Sequence, residues 1–240
     1  MKDLDLTFLG ECTNEQIKML ADVLIFDKDG DPRLTESLTS SMEYSTFYPD
    51  NLHMMLPCII EELQNYGGDS FMNFFRGHGV TYREILEDVC DKLDVNYNKA
   101  SSTELIEQYL LQKFLIMSVD KMTEDDVKHL SENLTKAKLI DQLKVLKAGS
   151  PVFLRLVTVL VLSIAKKTGM KMIGSWVAKF MGSKAFTIFT GPIGWVITGV
   201  WTLTDISGPA YRVTIPATIV VAYLRMVAGK SDAELEDLLK

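Results

Sequence analysis

Apolar residues return every three or four positions through much of this chain, the spacing that places them on one face of a helix. The clearest stripe is Tyr82, Ile85, Leu86, Val89, Cys90 and Leu93. Ile106, Leu110, Phe114 and Met117 repeat it, and so do Leu56, Ile59, Ile60 and Leu63 ahead of Gly67 and Gly68. The paired glycines predict a helix stop with a left-handed cap. Four capping boxes mark helix starts: Thr13 with Gln16, Thr81 with Glu84, Ser101 with Glu104, and Ser231 with Glu234. In each, a hydroxyl and a carboxyl or amide side chain satisfy opposed backbone donors of the first turn. Residues 123–147 predict one or two further helices. Neither strand alternation before residue 150 nor an internal repeat is present. The pattern predicts a mainly α, multi-helix bundle.

The pattern changes after residue 150. Residues 151–230 hold one acid, Asp205, beside nine Lys or Arg, with charge-free runs at 156–165, 185–204 and 213–224. Only the middle run has the length to cross a bilayer as a helix. It contains Gly191, Pro192, Gly194 and Gly199, which suit close helix packing better than a span. Buried core, a membrane-surface or conditionally inserting segment, and a constitutive span are thus three readings of it. The expected organisation is an N-terminal helical module (1–50), an acidic helical region (51–150) and an apolar, basic, glycine-containing helical region (151–240).

Charge sharpens that division. Residues 1–150 carry 27 acids against 15 bases, and residues 151–240 carry 5 against 10. Nucleic acid is a poor partner for so acidic a front, because phosphate contacts need clustered cations. Cys12, Cys58 and Cys90 are an odd number at wide spacing, which favours a reducing compartment over a disulfide framework. The start lacks the apolar core of a signal peptide. A cytoplasmic location, peripheral to the inner membrane if the tail docks there, is the expectation.

Candidate chemistry is sparse. Asp27, Asp29 and Asp31 imitate the start of a calcium loop, but the sixth and twelfth places hold Pro32 and Leu38 instead of glycine and glutamate. A solvated turn accounts for them. Asp69, Ser70 and Asn73, followed by Asp126 and His129, follow the block order of a serine hydrolase with Ser70 as nucleophile. The strand that should lead into Ser70 is missing from the pattern, and Asp69 reads as a helix cap. His53, His78 and His129 lie apart without cysteine pairs, so no metal site is expected. No phosphate loop or dinucleotide fingerprint implies a cofactor. Arg76 and His78 lie in a short glycine-rich turn, a place where binding groups are often carried.

Two blocks bear a resemblance. The run from Gly67 through Asp69, Ser70, Asn73, Arg76 and His78 to Gly79, continuing through Tyr82, Arg83 and Leu86 to Val89, resembles the signature of the bacterial YaaW family (UPF0174). Residues 207–217, with Tyr211, Arg212 and Thr214, resemble its C-terminal signature. The opening Asp3-to-Leu9 stretch with Arg33 to Glu36 resembles its short N-terminal module of unknown function. The family is also grouped distantly with chaperones for assembly of the ubiquinol–cytochrome c reductase complex. The resemblance supplies no catalytic residues. Pro57 is a departure, expected to break the 50–66 helix.

Asp69, Ser70, Asn73, Arg76, His78, Tyr82 and Arg83 then form a candidate polar groove, and Tyr211, Arg212 and Thr214 a candidate C-terminal site. Asn73 and Arg76 are spaced to act together, and Arg83 with Glu87 to pair on a solvated face. In the plainer reading Asp69 caps a helix, the glycines make turns, and Arg76 pairs with an acid of the N-terminal half. The first functional reading is an uncharacterised bacterial, non-enzymatic interaction protein, chaperone-like, with a protein partner and a membrane surface as a further contact. The second is a conditional membrane inserter or pore former. The third is the Ser70 hydrolase.

Overall fold

The computed structural model describes residues 3–27, 29–33, 35, 37–68, 79–130, 134–147, 149–167, 177, 180–182, 184–201 and 210–239. Everything regular in them is helical, apart from an isolated antiparallel bridge between Phe26 and Pro32. A 3₁₀ element, Leu4–Glu11, precedes α1 (Asn14–Ile25), α2 (Met42–Phe47), α3 (Leu56–Gly67), α4 (Tyr82–Lys92) and α5 (Thr103–Lys121). There follow α6 (Glu124–Leu130), α7 (Lys136–Val145), α8 (Pro151–Lys167), α9 (Lys184–Trp201), α10 (Tyr211–Val227) and α11 (Asp232–Leu239). The bundle is therefore mainly α, as its periodicity predicts.

The boundaries follow from local chemistry. The boxes at Thr13 and Thr81 form in full, and that at Ser231 closes on Glu234. The third does not form: α5 starts one residue later, and its third position is Leu105, which cannot return the bond. Ser102, not Ser101, accepts from the Leu105 amide, because the Ser101 carbonyl is held by Arg83 Nη1 at 2.9 Å. Pro57 does not break a helix. A 3₁₀ turn, Leu52–Met55, ends before it, and Pro57 lies in the first turn of α3, where its missing N–H costs nothing.

Of the paired glycines at the end of α3, Gly67 serves packing. Gly68 is extended, at φ −98° and ψ 160°, so no left-handed cap forms. A Cβ on Gly67 would lie 2.3 Å from Ile85 Cγ1, and one on Gly79 would lie 2.6 Å from the backbone carbon of Gln64. Only glycine lets α4 and its approach run this close to α3.

Helix α10 is the centre of the molecule. Every residue from Val213 to Leu224 is buried, and the helix packs on the N-terminal 3₁₀ element, α1, α3, α4, α5, α8 and α9. A helix apolar on all sides must be enclosed, and the front helices enclose it. Its threonine hydroxyls bond within the helix: Thr218 donates to the Thr214 carbonyl at 2.7 Å. Thr158 and Ser163 of α8 do the same four residues back.

One buried polar contact joins the two ends of the chain. The Glu107 carboxylate accepts from Arg225 Nε at 2.8 Å and Nη2 at 3.1 Å, and from the Tyr82 hydroxyl at 2.7 Å. Arg225 also donates to the Asp5 carbonyl at 2.8 Å and lies 4.2 Å over the Phe8 ring. Burial pushes the Glu107 carboxyl up, and Arg225 and Tyr82 pull it back. The guanidinium is held above its ordinary range by Glu107. The bidentate bonds from Arg225 favour the charged pair. Asp3 adds a second tie, accepting from the Tyr82 amide at 2.7 Å and Gln64 Nε2 at 3.0 Å. Buried Glu62 accepts from the Ser37 and Leu38 amides at 2.9 and 3.0 Å.

Two outcomes are expected. Gly79→Ala forces a methyl against backbone and lowers stability by about 1–3 kcal/mol in urea unfolding; an unchanged midpoint would remove the packing role. Glu107→Ala strands Arg225 and costs about 3 kcal/mol or more, whereas Glu107→Leu with Arg225→Met recovers most of that loss. A double variant no more stable than Glu107→Ala would show that the contact acts otherwise.

Candidate functional site

The apolar side chains of α9 face inward. Phe186, Phe189, Ile193, Val196 and Ile197 are buried, and the helix packs on α8, α5, α10 and α6. Its outer face is Thr187, Gly191, Trp195 and Gly199, all exposed and spaced four residues apart. Trp195 stands 74% exposed on a helix whose other large apolar residues are mostly covered. A Cβ at Gly191, Gly194 or Gly199 would meet nothing within 4 Å, so these glycines hold space open instead of admitting a neighbour. Pro192 lies within the helix, where it removes one backbone donor.

Beside this face runs a groove of about 740 Å³. Its α9 wall is Thr187, Ile188, Gly191, Pro192 and Trp195, and the facing wall is Lys121, Thr123, Asp126 and His129. A second hollow of about 460 Å³ continues on the other side of Trp195, past Leu93, Met117, Asp120, Val196 and Gly199. Trp195 and Lys121 line both hollows. The facing wall is set by the start of α6. Asp126 accepts from the Thr123 amide at 2.8 Å and hydroxyl at 2.7 Å, which holds its carboxyl below the usual range. That carboxylate caps the start of α6 through one oxygen, Oδ2. His129 is exposed at the rim.

Such a site suits binding better than bond breaking. An exposed indole, a bare helix backbone and a rim with both charge signs offer shape and contact. Among the described residues no group of three or more His, Cys, Asp or Glu could hold a metal ion. In the Asp27 turn, Asp27 accepts from the Asp29 and Asp31 amides at 2.8 and 3.0 Å, the bonding of a tight turn. The three cysteines are free, and burial pushes the Cys12 and Cys90 thiols up to about 12, out of nucleophilic range.

The residues singled out by sequence fall elsewhere. Asp69, Ser70, Asn73, Arg76 and His78 lie outside the described residues. Tyr82 is buried, its hydroxyl on Glu107. Arg83 pairs with Glu87 at 2.6 Å, as its spacing predicts, but its face is not simply solvated. It is partly buried and reaches the Ser101 and Lys99 carbonyls at 2.9 and 2.8 Å, pinning the α4–α5 loop. Tyr211 lies under Lys92, whose ammonium is 4.9 Å from the ring centre. Arg212 is exposed, and Thr214 is buried with its hydroxyl 3.3 Å from the Ala210 carbonyl. The C-terminal block is tied to the residue just ahead of the first block, where the Ala210 amide bonds the Tyr66 carbonyl at 3.0 Å. What the sequence reading missed was the Trp195 groove. The signal for it was a tryptophan with glycines four residues to either side, Gly191 and Gly199, in the charge-free run 185–204.

Comparison with known proteins gives the chain its relatives. Residues 1–34 match a family described as a domain of unknown function, DUF3944. A UPF0174 protein of Helicobacter pylori strain J99 is 41% identical over 98% of this chain and 96% of its own length. Another from that strain is 42% identical over 80% of this chain and 97% of its own. The UPF0174 protein YaaW of Escherichia coli strain K12 is 32% identical over 95% and 96% respectively. No solved structure matches. With this identity sustained along nearly its whole length, the chain belongs to the UPF0174 (YaaW) family.

Proposed function

We propose that this protein is a non-enzymatic interaction protein whose α9 groove docks an apolar helix of a protein partner. The observation that carries the reading is Trp195, an aromatic side chain 74% exposed between two hollows on an otherwise inward-packed helix. Tryptophan is the residue type most enriched at binding hot spots, since it covers a large area with few rotatable bonds. Gly191 and Gly199 on the same face admit a second backbone at close range, the requirement for helix-on-helix contact.

A protein helix suits this face better than a bilayer does. Binding to a membrane surface gains from apolar area and from basic flanks, and a face of one threonine, two glycines and one tryptophan supplies little of the first. No described helix is long and apolar enough to cross a membrane, so a pore would require a rearrangement of α9 away from its buried contacts with α8 and α5.

A photo-crosslinking residue at Ile188, on the groove wall, is expected to give a discrete protein adduct in living cells. The same residue at Val145, 78% exposed and outside the groove lining, is expected to give none. Trp195→Ala should abolish the Ile188 adduct while leaving the urea midpoint in place, since the ring buries little. Adducts persisting in Trp195→Ala, or equal from both positions, would end the docking reading; an adduct to phospholipid would replace it with a membrane one.

A further inference from the structure

We infer that the occupant of the groove is the α9 helix of a second copy of this chain, packed antiparallel across a two-fold axis. The inference rests on the groove being a site of protein docking and names its partner. A two-fold contact requires a surface complementary to itself, so that any projection on it must have a matching recess elsewhere on the same face. This face carries both. Trp195 is the projection, and Gly191, one helical turn before it, is the recess, where even a Cβ would meet nothing within 4 Å. Set two copies antiparallel about the level of Ile193, and each indole lies over the other copy's Gly191. The same register places each Thr187 opposite the other copy's Gly199, small against small.

The charges agree with this register. Lys121 lines both hollows and so stands at the level of Trp195, whereas Asp126 lines only the hollow that contains Gly191. Reversing the second copy brings its Lys121 to the level of the first copy's Asp126, and the reciprocal pair forms by symmetry. A contact centred on a single helix face is small by the standard of permanent dimers, so the association is concentration-dependent.

Disulfide trapping in the full-length chain tests the register. With Cys58→Ser as background, mixing the Thr187→Cys and Gly199→Cys variants under oxidising conditions is expected to give a covalent dimer. Neither variant alone should do so, because a residue and its own symmetry mate lie more than two turns apart. Sedimentation of the otherwise unaltered chain should show a monomer–dimer equilibrium, weakened about tenfold or more by Trp195→Ala. Gly191→Leu, whose Cβ meets nothing within 4 Å in its own chain, should weaken it equally; its unfolding midpoint checks that it folds. A monomer at the highest soluble concentration, or a Thr187→Cys variant that cross-links to itself as readily as the mixture does, overturns the inference. If the cellular adduct at Ile188 survives that result and depends on Trp195, docking stands with a different partner; if both are lost, the docking reading falls with it.

Discussion

A guanidinium group drawn into the interior by helix α10 sets the terms for much of this fold. Arg225 is enclosed by the Glu107 carboxylate, the Asp5 carbonyl and the Phe8 ring, and no one of these could hold a buried charge alone. Glu107 must be ionised and must also meet Tyr82, so α4 and α5 have to arrive in one relation. The N-terminal 3₁₀ element must lie across them for the carbonyl and ring to be in place. A single desolvated charge thus correlates four elements that are far apart in sequence. Buried ion pairs add little net stability but penalise every arrangement that leaves one partner unmatched. Here that penalty selects among the ways in which apolar helices could slide past one another. Asp3 works in the same direction, tying the ends of α3 and α4.

The groove is a by-product of the same packing. Because α10 takes the centre, α9 is left on the outside of α5 and α8 with only one face to bury. Its aromatic and branched residues occupy that face. Among the described residues the other face carries Thr187, Gly191, Gly199 and the exposed indole of Trp195.

Local rules were readable in the sequence, and long-range ones were not. Thr81 and Glu84 are three residues apart and satisfy one another's neighbours, so the box is visible in the string. Ser101 and Ser102 are equally able caps; the choice between them is made by Arg83, 18 residues away, taking the Ser101 carbonyl. Gly67 and Gly79 look like turn residues until Ile85 and Gln64 are seen against them. Arg225 and Glu107 lie 118 positions apart with no shared pattern to link them. The long apolar run at 185–204 was visible, but which of its faces stayed open depended on α5 and α6 arriving beside it. The excess of acids in the front and bases in the tail proved a weak guide to detail, since the contact that matters is one buried pair.

The position of α10 along the chain has a consequence for biogenesis. A polypeptide emerges from the ribosome with its earlier residues first, and the helix that fills the centre of this bundle is made after nearly all the helices that surround it. Until Tyr211–Val227 is out, the apolar faces of α1, α3, α4, α5 and α8 have no common partner. The last large share of the core is therefore completed only when α10, near the end of the chain, has been made.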